Sequence, residues 1–162
     1  MDSHHLEKLI WTEQDFKIMG WHDARIWGIA MNADNYEFLV DLDYIFKWEQ
    51  LEDKETKCEF RIAPVTMVFE NAHDIVIDLH SWQGTIDIAD LHMENPRKAW
   101  NNLFTENTFR FECQEGEIII NATGYKMYVR QEPQQIDSQS LKYDERGGVD
   151  FERELKNSKY ND

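Results

Sequence analysis

Four histidine–carboxylate pairs in the body of this chain have types and spacing that could do chemistry: His22 precedes Asp23, His73 precedes Asp74, His80 follows Asp78 by two residues, and His92 precedes Glu94 by two. On an extended strand, residues two apart project from one face, so Asp78 with His80 has the spacing of an oriented general base or half of a metal site. Two such pairs on neighbouring strands would close a polar site, and His22, Asp23, His73, Asp74, Asp78 and His80 are its candidate members. Acidic sheets also set Asp beside His by chance. No His-Glu-x-x-His, Cys-x-x-Cys or calcium-loop spacing accompanies these pairs. The expectation is no metal, no cofactor and no assignable catalytic residue.

Asp41 and Asp43 share one strand face with Glu37. Paired carboxylates act as acid and nucleophile in a glycosidase only when a cleft separates them and one pKa is raised. Nothing in the sequence supplies that cleft, so these residues read as a wetted strand face able to meet a basic protein. Trp27 and Trp82 fall out of register with the core faces and join Glu37, Asp41 and Asp43 as partner-binding candidates. Cys58 and Cys113, the two cysteines, have no neighbouring base and read as buried thiols. Gly-x-Ser-x-Gly, phosphate-cradling and dinucleotide-binding patterns are absent.

The elements that must carry these residues are strands. From Tyr36 to Trp48 the chain alternates: Tyr36, Phe38, Val40, Leu42, Tyr44, Phe46 and Trp48 face one side, Glu37, Asp41, Asp43 and Lys47 the other. A preceding strand, Ala24 to Met31, completes a hairpin through Asn32–Asn35. Glu49–Lys57 reads as a charged loop. Phe60, Ile62 and Val65–Phe69 then predict a strand buried on both faces, with Pro64 at a bulge or an edge. Ile75–Leu79 and Ile86–Ile88 predict a hairpin turning at Trp82-Gln83-Gly84. Asn95-Pro96 reads as a helix start, with two turns over Arg97–Phe104. Phe109–Cys113, Ile118–Ala122 and Tyr125–Val129 form a meander. The fold class expected is mainly β, an antiparallel sandwich or strongly curved sheet with one or two short helices.

At 162 residues, 41% hydrophobic and 13% aromatic, the chain is expected to form a single domain over 1–162. Residues 136–162 are polar, broken by Gly147-Gly148, and predict an extended C-terminal arm docked at Leu141, Tyr143, Val149, Phe151 and Leu155. Net charge is −15 and pI about 4.7. Acidic and basic residues nearly balance in the arm, so most of that charge belongs to the body. Such a chain repels phosphate backbones and anionic membranes and steers toward basic partners. The N-terminal stretch MDSHHLEKLIWTEQDF has no basic segment followed by an apolar run, and no apolar stretch approaches the ~20 residues of a spanning helix. A cytoplasmic location is expected.

Trp21-His22-Asp23, Asp41-Leu42-Asp43-Tyr44 with Trp48, the block Ala63–Asn71, Gly124–Arg130 and Glu145-Arg146-Gly147-Gly148 together resemble a family of uncharacterised bacterial proteins. The resemblance spans Phe16 to Phe151 and implies a bacterial domain without assigned activity. In size, charge and architecture the chain is also similar to immunity proteins of bacterial toxin systems. The leading expectation is an acidic binding protein, an immunity-type inhibitor of a basic toxin. The alternative is a small-ligand-binding protein or hydrolase that uses the His and Asp pairs.

Overall fold

The computed structural model describes residues 6–50 and 58–156. Ten strands follow in chain order: β1 Ile10–Thr12, β2 Arg25–Asn32, β3 Glu37–Gln50, β4 Cys58–Glu70, β5 His73–Leu79, β6 Ile86–Lys98, β7 Thr105–Cys113, β8 Gly116–Ala122, β9 Gly124–Val129 and β10 Gln134–Ile136. Short 3-10 turns over Glu13–Ile18 and Ala33–Asn35 are the helical content of the described residues. All pairings are antiparallel, in the order β1-β9-β4-β3-β2-β6-β7-β8-β5, with β10 also on β4. The mainly β, antiparallel expectation holds.

This open sheet folds over on itself. Only two residue pairs, Arg25↔Asp87 and Ile26↔Ile86, join its halves at β2 and β6. Apolar residues at every second position then meet face to face: Phe69 of β4 lies edge-on to Phe109 and Phe111 of β7, with centroids 5.3 and 5.8 Å apart. Phe38, Val40, Leu42 and Tyr44 of β3 are buried in the same core, as the alternation predicts.

A bulge and a turn correct the rest of that reading. Phe46 is inserted where β3 passes from Ile45↔Ile62 to Lys47↔Arg61, and each inserted residue reverses the facing of those beyond it. Trp48 is thereby turned against Phe60, centroids 4.7 Å apart, on the side away from the main core. Tyr36 is not in the strand at all; it closes the β2–β3 turn at φ 55° and is exposed. Pro64 sits in a central strand, but in the gap where β4 stops pairing with β10 at Ile62 and starts pairing with β9 at Val65. Its missing N–H falls where neither neighbour asks for one.

Three further expectations are overturned, the first being the meander, in which β7 and β8 pair but β9 leaves to pair with β4 and β1. The helix over Arg97–Phe104 does not form, because β6 runs on to Lys98 and absorbs Asn95 and Pro96 in a register shift between Glu94 and Arg97. Nor do β5 and β6 make a hairpin: β5 pairs with β8 at the far edge, in a Greek-key order β6-β7-β8-β5. The connection His80–Thr85 therefore spans three inter-strand spacings, about 14 Å, which six residues cover easily. The Glu49–Lys57 loop lies largely outside the described residues.

Candidate functional site

The outer face of β3 is not wetted. Asp41 and Asp43 have no solvent exposure, because the chain after β10 crosses back over them. Arg146 bonds both: Nη2 to Asp41 Oδ1 at 2.5 Å, Nη1 to Asp41 Oδ2 at 2.9 Å and Nε to Asp43 Oδ1 at 3.0 Å. Arg130 adds Nη2 to Asp41 Oδ1 at 2.9 Å and Nη1 to Thr66 Oγ1 at 2.8 Å. The backbone N–H groups of Leu141 and Asp150 donate to Asp43 and Asp41. Burial pulls the Arg146 pKa down, but the Asp41 hydrogen bonds and both carboxylate charges outweigh it and hold it above the ordinary guanidinium value.

Local sequence makes this possible. A bulge in β2 between Ile26 and Gly28 inserts Trp27, whose Nε1–H donates to Asp43 Oδ2 at 2.8 Å while Arg146 lies over its ring at 4.8 Å. Gly147 and Gly148, at φ 78° and 73°, turn the chain after Arg146 in a conformation disfavoured for residues with a Cβ. Glu37 is gripped by Arg153 at 2.7 Å. Four partner candidates are thus placed: Asp41 and Asp43 inside, Trp27 against them, and Glu37 tied to the arm. Trp82 alone stands free in solvent, at 90% exposure. The expectation that Asp41 and Asp43 offer an acidic surface is corrected, since the arm that hides them is polar in composition and gives no period-two signal.

The His and Asp candidates do not converge. His22 Nε2 lies 3.4 Å from Asp23, and its ring is near Trp48. Asp23, in turn, accepts from Gln139 of the arm. Asp78 and His80 lie at the other end of β5 from His73. Among the described residues no group of three His, Cys, Asp or Glu is placed to hold a metal ion. Cys113 is buried, and burial pushes its thiol pKa up to about 12.

Two surface constellations remain. The first is a row of carboxylates directly opposite one another across four strands: Asp90 pairs with Glu112, Glu112 with Glu117, and Glu117 with Asp78. Asp78, Asp90 and Glu112 are exposed and Glu117 half-buried. The cation on the next row, Arg110, is taken by Glu94 at 3.0 Å, and His92 is 3.6 Å from Glu112.

The second is a cavity of about 580 Å³ at one end of the folded sheet. The β2–β3 turn, the β4–β5 turn, the β6–β7 loop and the β8–β9 turn contribute Tyr36, Asn71, Trp100, Phe104 and Thr123 to it. On its wall His73 places Nδ1 2.9 Å from Asp74 and Nε2 2.8 Å from Glu106, the geometry of an imidazolium donating twice. The Glu106 bond is the largest influence and raises the His73 pKa; burial, next in size, opposes it, and the Asp74 bond with the two carboxylate charges keeps the net shift upward. Glu106 is lowered in turn, chiefly by His73, and also receives Arg97 Nε at 3.1 Å. Sequence reading found His73 and Asp74 but neither Glu106, which is 32 residues beyond Asp74, nor Trp100, placed inside the helix that does not form.

Among the described residues no helix is long and apolar enough to cross a membrane. Comparison with known protein families, curated proteins and solved structures yields no match.

Proposed function

We propose that this chain is an acidic, non-enzymatic binding protein, of the immunity type, that masks the cationic surface of a basic bacterial toxin. The observation that supports this reading is the carboxylate row Asp90, Glu112, Glu117 and Asp78. Like charges directly opposite on a sheet destabilise it. In this row of four, Asp90 accepts the Leu91 N–H, Glu112 lies 3.6 Å from His92, and Arg110 on the next row is committed to Glu94. The row concentrates negative field on one face, which raises the rate at which a basic protein arrives and orients it.

The test is a pull-down from native lysate at low and high salt, followed by association kinetics with the purified partner. Recovery of a basic protein at low salt, lost when Asp78, Asp90, Glu112 and Glu117 are replaced by lysine, is the expected result. Recovery of no protein at either salt, with a specific small molecule retained on purification, would overturn it. That outcome would favour the second reading, a small-ligand-binding protein, for which the cavity beside His73 is the supporting observation.

A further inference from the structure

The cavity end of the molecule combines three features that packing does not explain. Tyr36, Trp100 and Phe104, which line the cavity, are 69, 95 and 56% exposed, and Leu103 of the same loop as Trp100 and Phe104 is 74% exposed. Backbone strain gathers there too. Of the six non-glycine residues with positive φ among the described residues, four belong to these loops or the first residues of β5: Tyr36 at 55°, Asn71 at 52°, Asp74 at 47° and Asn102 at 58°. Each costs of order 1 kcal/mol and persists only where the surroundings hold it, as at ligand clamps. The third feature is charge: the Asp74 side chain is 84% exposed and commits one oxygen to His73, leaving the other toward solvent.

Aromatic faces beside carboxylates are a seat for a guanidinium. The chain fills such a seat internally, where Arg146 lies over Trp27 at 4.8 Å and bonds Asp41 and Asp43. Trp100 and Tyr36 line the cavity with their rings open to solvent, and Asp74, next in the chain to the lining residue His73, keeps one oxygen uncommitted, whereas Glu106 on the wall is already bonded through both oxygens, to His73 and Arg97. A guanidinium stacks on such rings and pairs with a carboxylate in plane, which an ammonium does less well. The location also fits. Asn121 Nδ2 donates to the carbonyls of His73 and Asp74, and Asn121 lies on β8 four residues, about 13 Å, beyond Glu117 of the carboxylate row. A partner covering about 800 Å² would span both.

We infer that the loop-end cavity is the anchoring socket for an arginine side chain of the basic partner, the carboxylate row supplying steering and the socket supplying residence. The inference rests on the acidic-binder reading. Its test is a nuclear magnetic resonance titration of the full chain with a hexa-arginine peptide, observing the Trp100 indole and Asn101 amide signals together with the row residues. Saturable shifts at Trp100 and Asn101 are expected, with affinity falling about fivefold or more in Trp100→Ala. Reversal of the row should weaken binding in proportion to its salt dependence while the Trp100 shifts remain. Trp100 is almost wholly exposed, so its replacement leaves the fold intact.

Shifts confined to the row would overturn the socket and leave the acidic-binder reading standing. Absence of shifts at either place would overturn both. Equal Trp100 shifts from hexalysine, or from a neutral glucan hexasaccharide, would overturn the assignment to arginine.

Discussion

Arg146 holds Asp41 through two parallel bonds, Nη2 to Oδ1 at 2.5 Å and Nη1 to Oδ2 at 2.9 Å, and both side chains are excluded from water. The bond joins the C-terminal arm to β3, 105 residues away. Arg146 is also bonded to the Gly148 carbonyl, so the guanidinium fixes the turn that carries it. An ion pair this buried is costly to form and costlier to break.

Breaking it is the first prediction. Arg146→Ala should lose about 3–5 kcal/mol, because two buried carboxylates keep only part of their compensation. Arg146→Lys should recover little, since an ammonium cannot bridge Asp41 and Asp43 in one plane. Asp41→Ala should cost at least as much as the core truncation Leu42→Ala, itself worth about 2–5 kcal/mol. Chemical denaturation of the four proteins decides this, and an Asp41→Ala loss below that of an ordinary surface substitution would show the tie to be dispensable.

The inner face of the sheet was legible because burial there is enforced by one rule, alternation, that Phe38, Val40, Leu42 and Tyr44 all obey. The outer face was not, because Asp41 and Asp43 look alike in sequence whether water or Arg146 satisfies them. The bulges at Trp27 and Phe46 each insert one residue and reverse the phase, and neither has a composition signal. Pairing of β5 with β8 is decided by contacts about 40 residues apart, beyond the reach of local pattern. In the candidate site, His73 and Asp74 stood out as sequence neighbours, whereas Glu106 and Trp100 reach the cavity only through the topology.

Close approach of the arm to β2 yields the second prediction. A Cβ built on Gly28 would lie 2.7 Å from Val149 Cγ1, so Gly28→Ala forces the arm outward. The overpacking should cost about 1–3 kcal/mol. Val149→Ala in the same chain removes the clash and should recover most of the loss. Non-additivity in a double-mutant cycle is the readout, and simple additivity would mean that the arm does not press on Gly28.

His73 provides a pH test. Its pKa is raised above 6.5 and that of Glu106 lowered below 4.5, so the pair is ionised between these limits. Stabilisation from His73 is complete below 6.5 and disappears as pH rises through its folded pKa. The Glu106 share is complete above 4.5 and disappears as pH falls through its lowered value. Asp74 and Arg97 also face the pair, Asp74 on His73 Nδ1 and Arg97 on Glu106. A histidine resonance titration should place His73 above 6.5, and Glu106→Gln should move it down. An unshifted midpoint in both proteins would dissolve the pair.

The carboxylate row makes stability and binding move in opposite directions. Glu117 is flanked on both sides, by Glu112 of β7 and Asp78 of β5, so Glu117→Lys exchanges two repulsions for two attractions. Cross-strand pairs of this kind are worth roughly 0.2–1 kcal/mol each, and the substitution should therefore raise the denaturation midpoint at low salt. Half of the effect or more should vanish at high salt, because Glu112 and Asp78 are exposed and the field is screened over about 8–10 Å. The same variant should slow association with the basic partner while leaving its dissociation rate nearly unchanged, as expected of a residue that steers and does not anchor. A structural role for Glu117 would give the reverse signs: loss of stability on substitution, little salt dependence, and unaltered association. Measuring both quantities on one variant separates a row kept for its field from a row that merely decorates a solvated sheet.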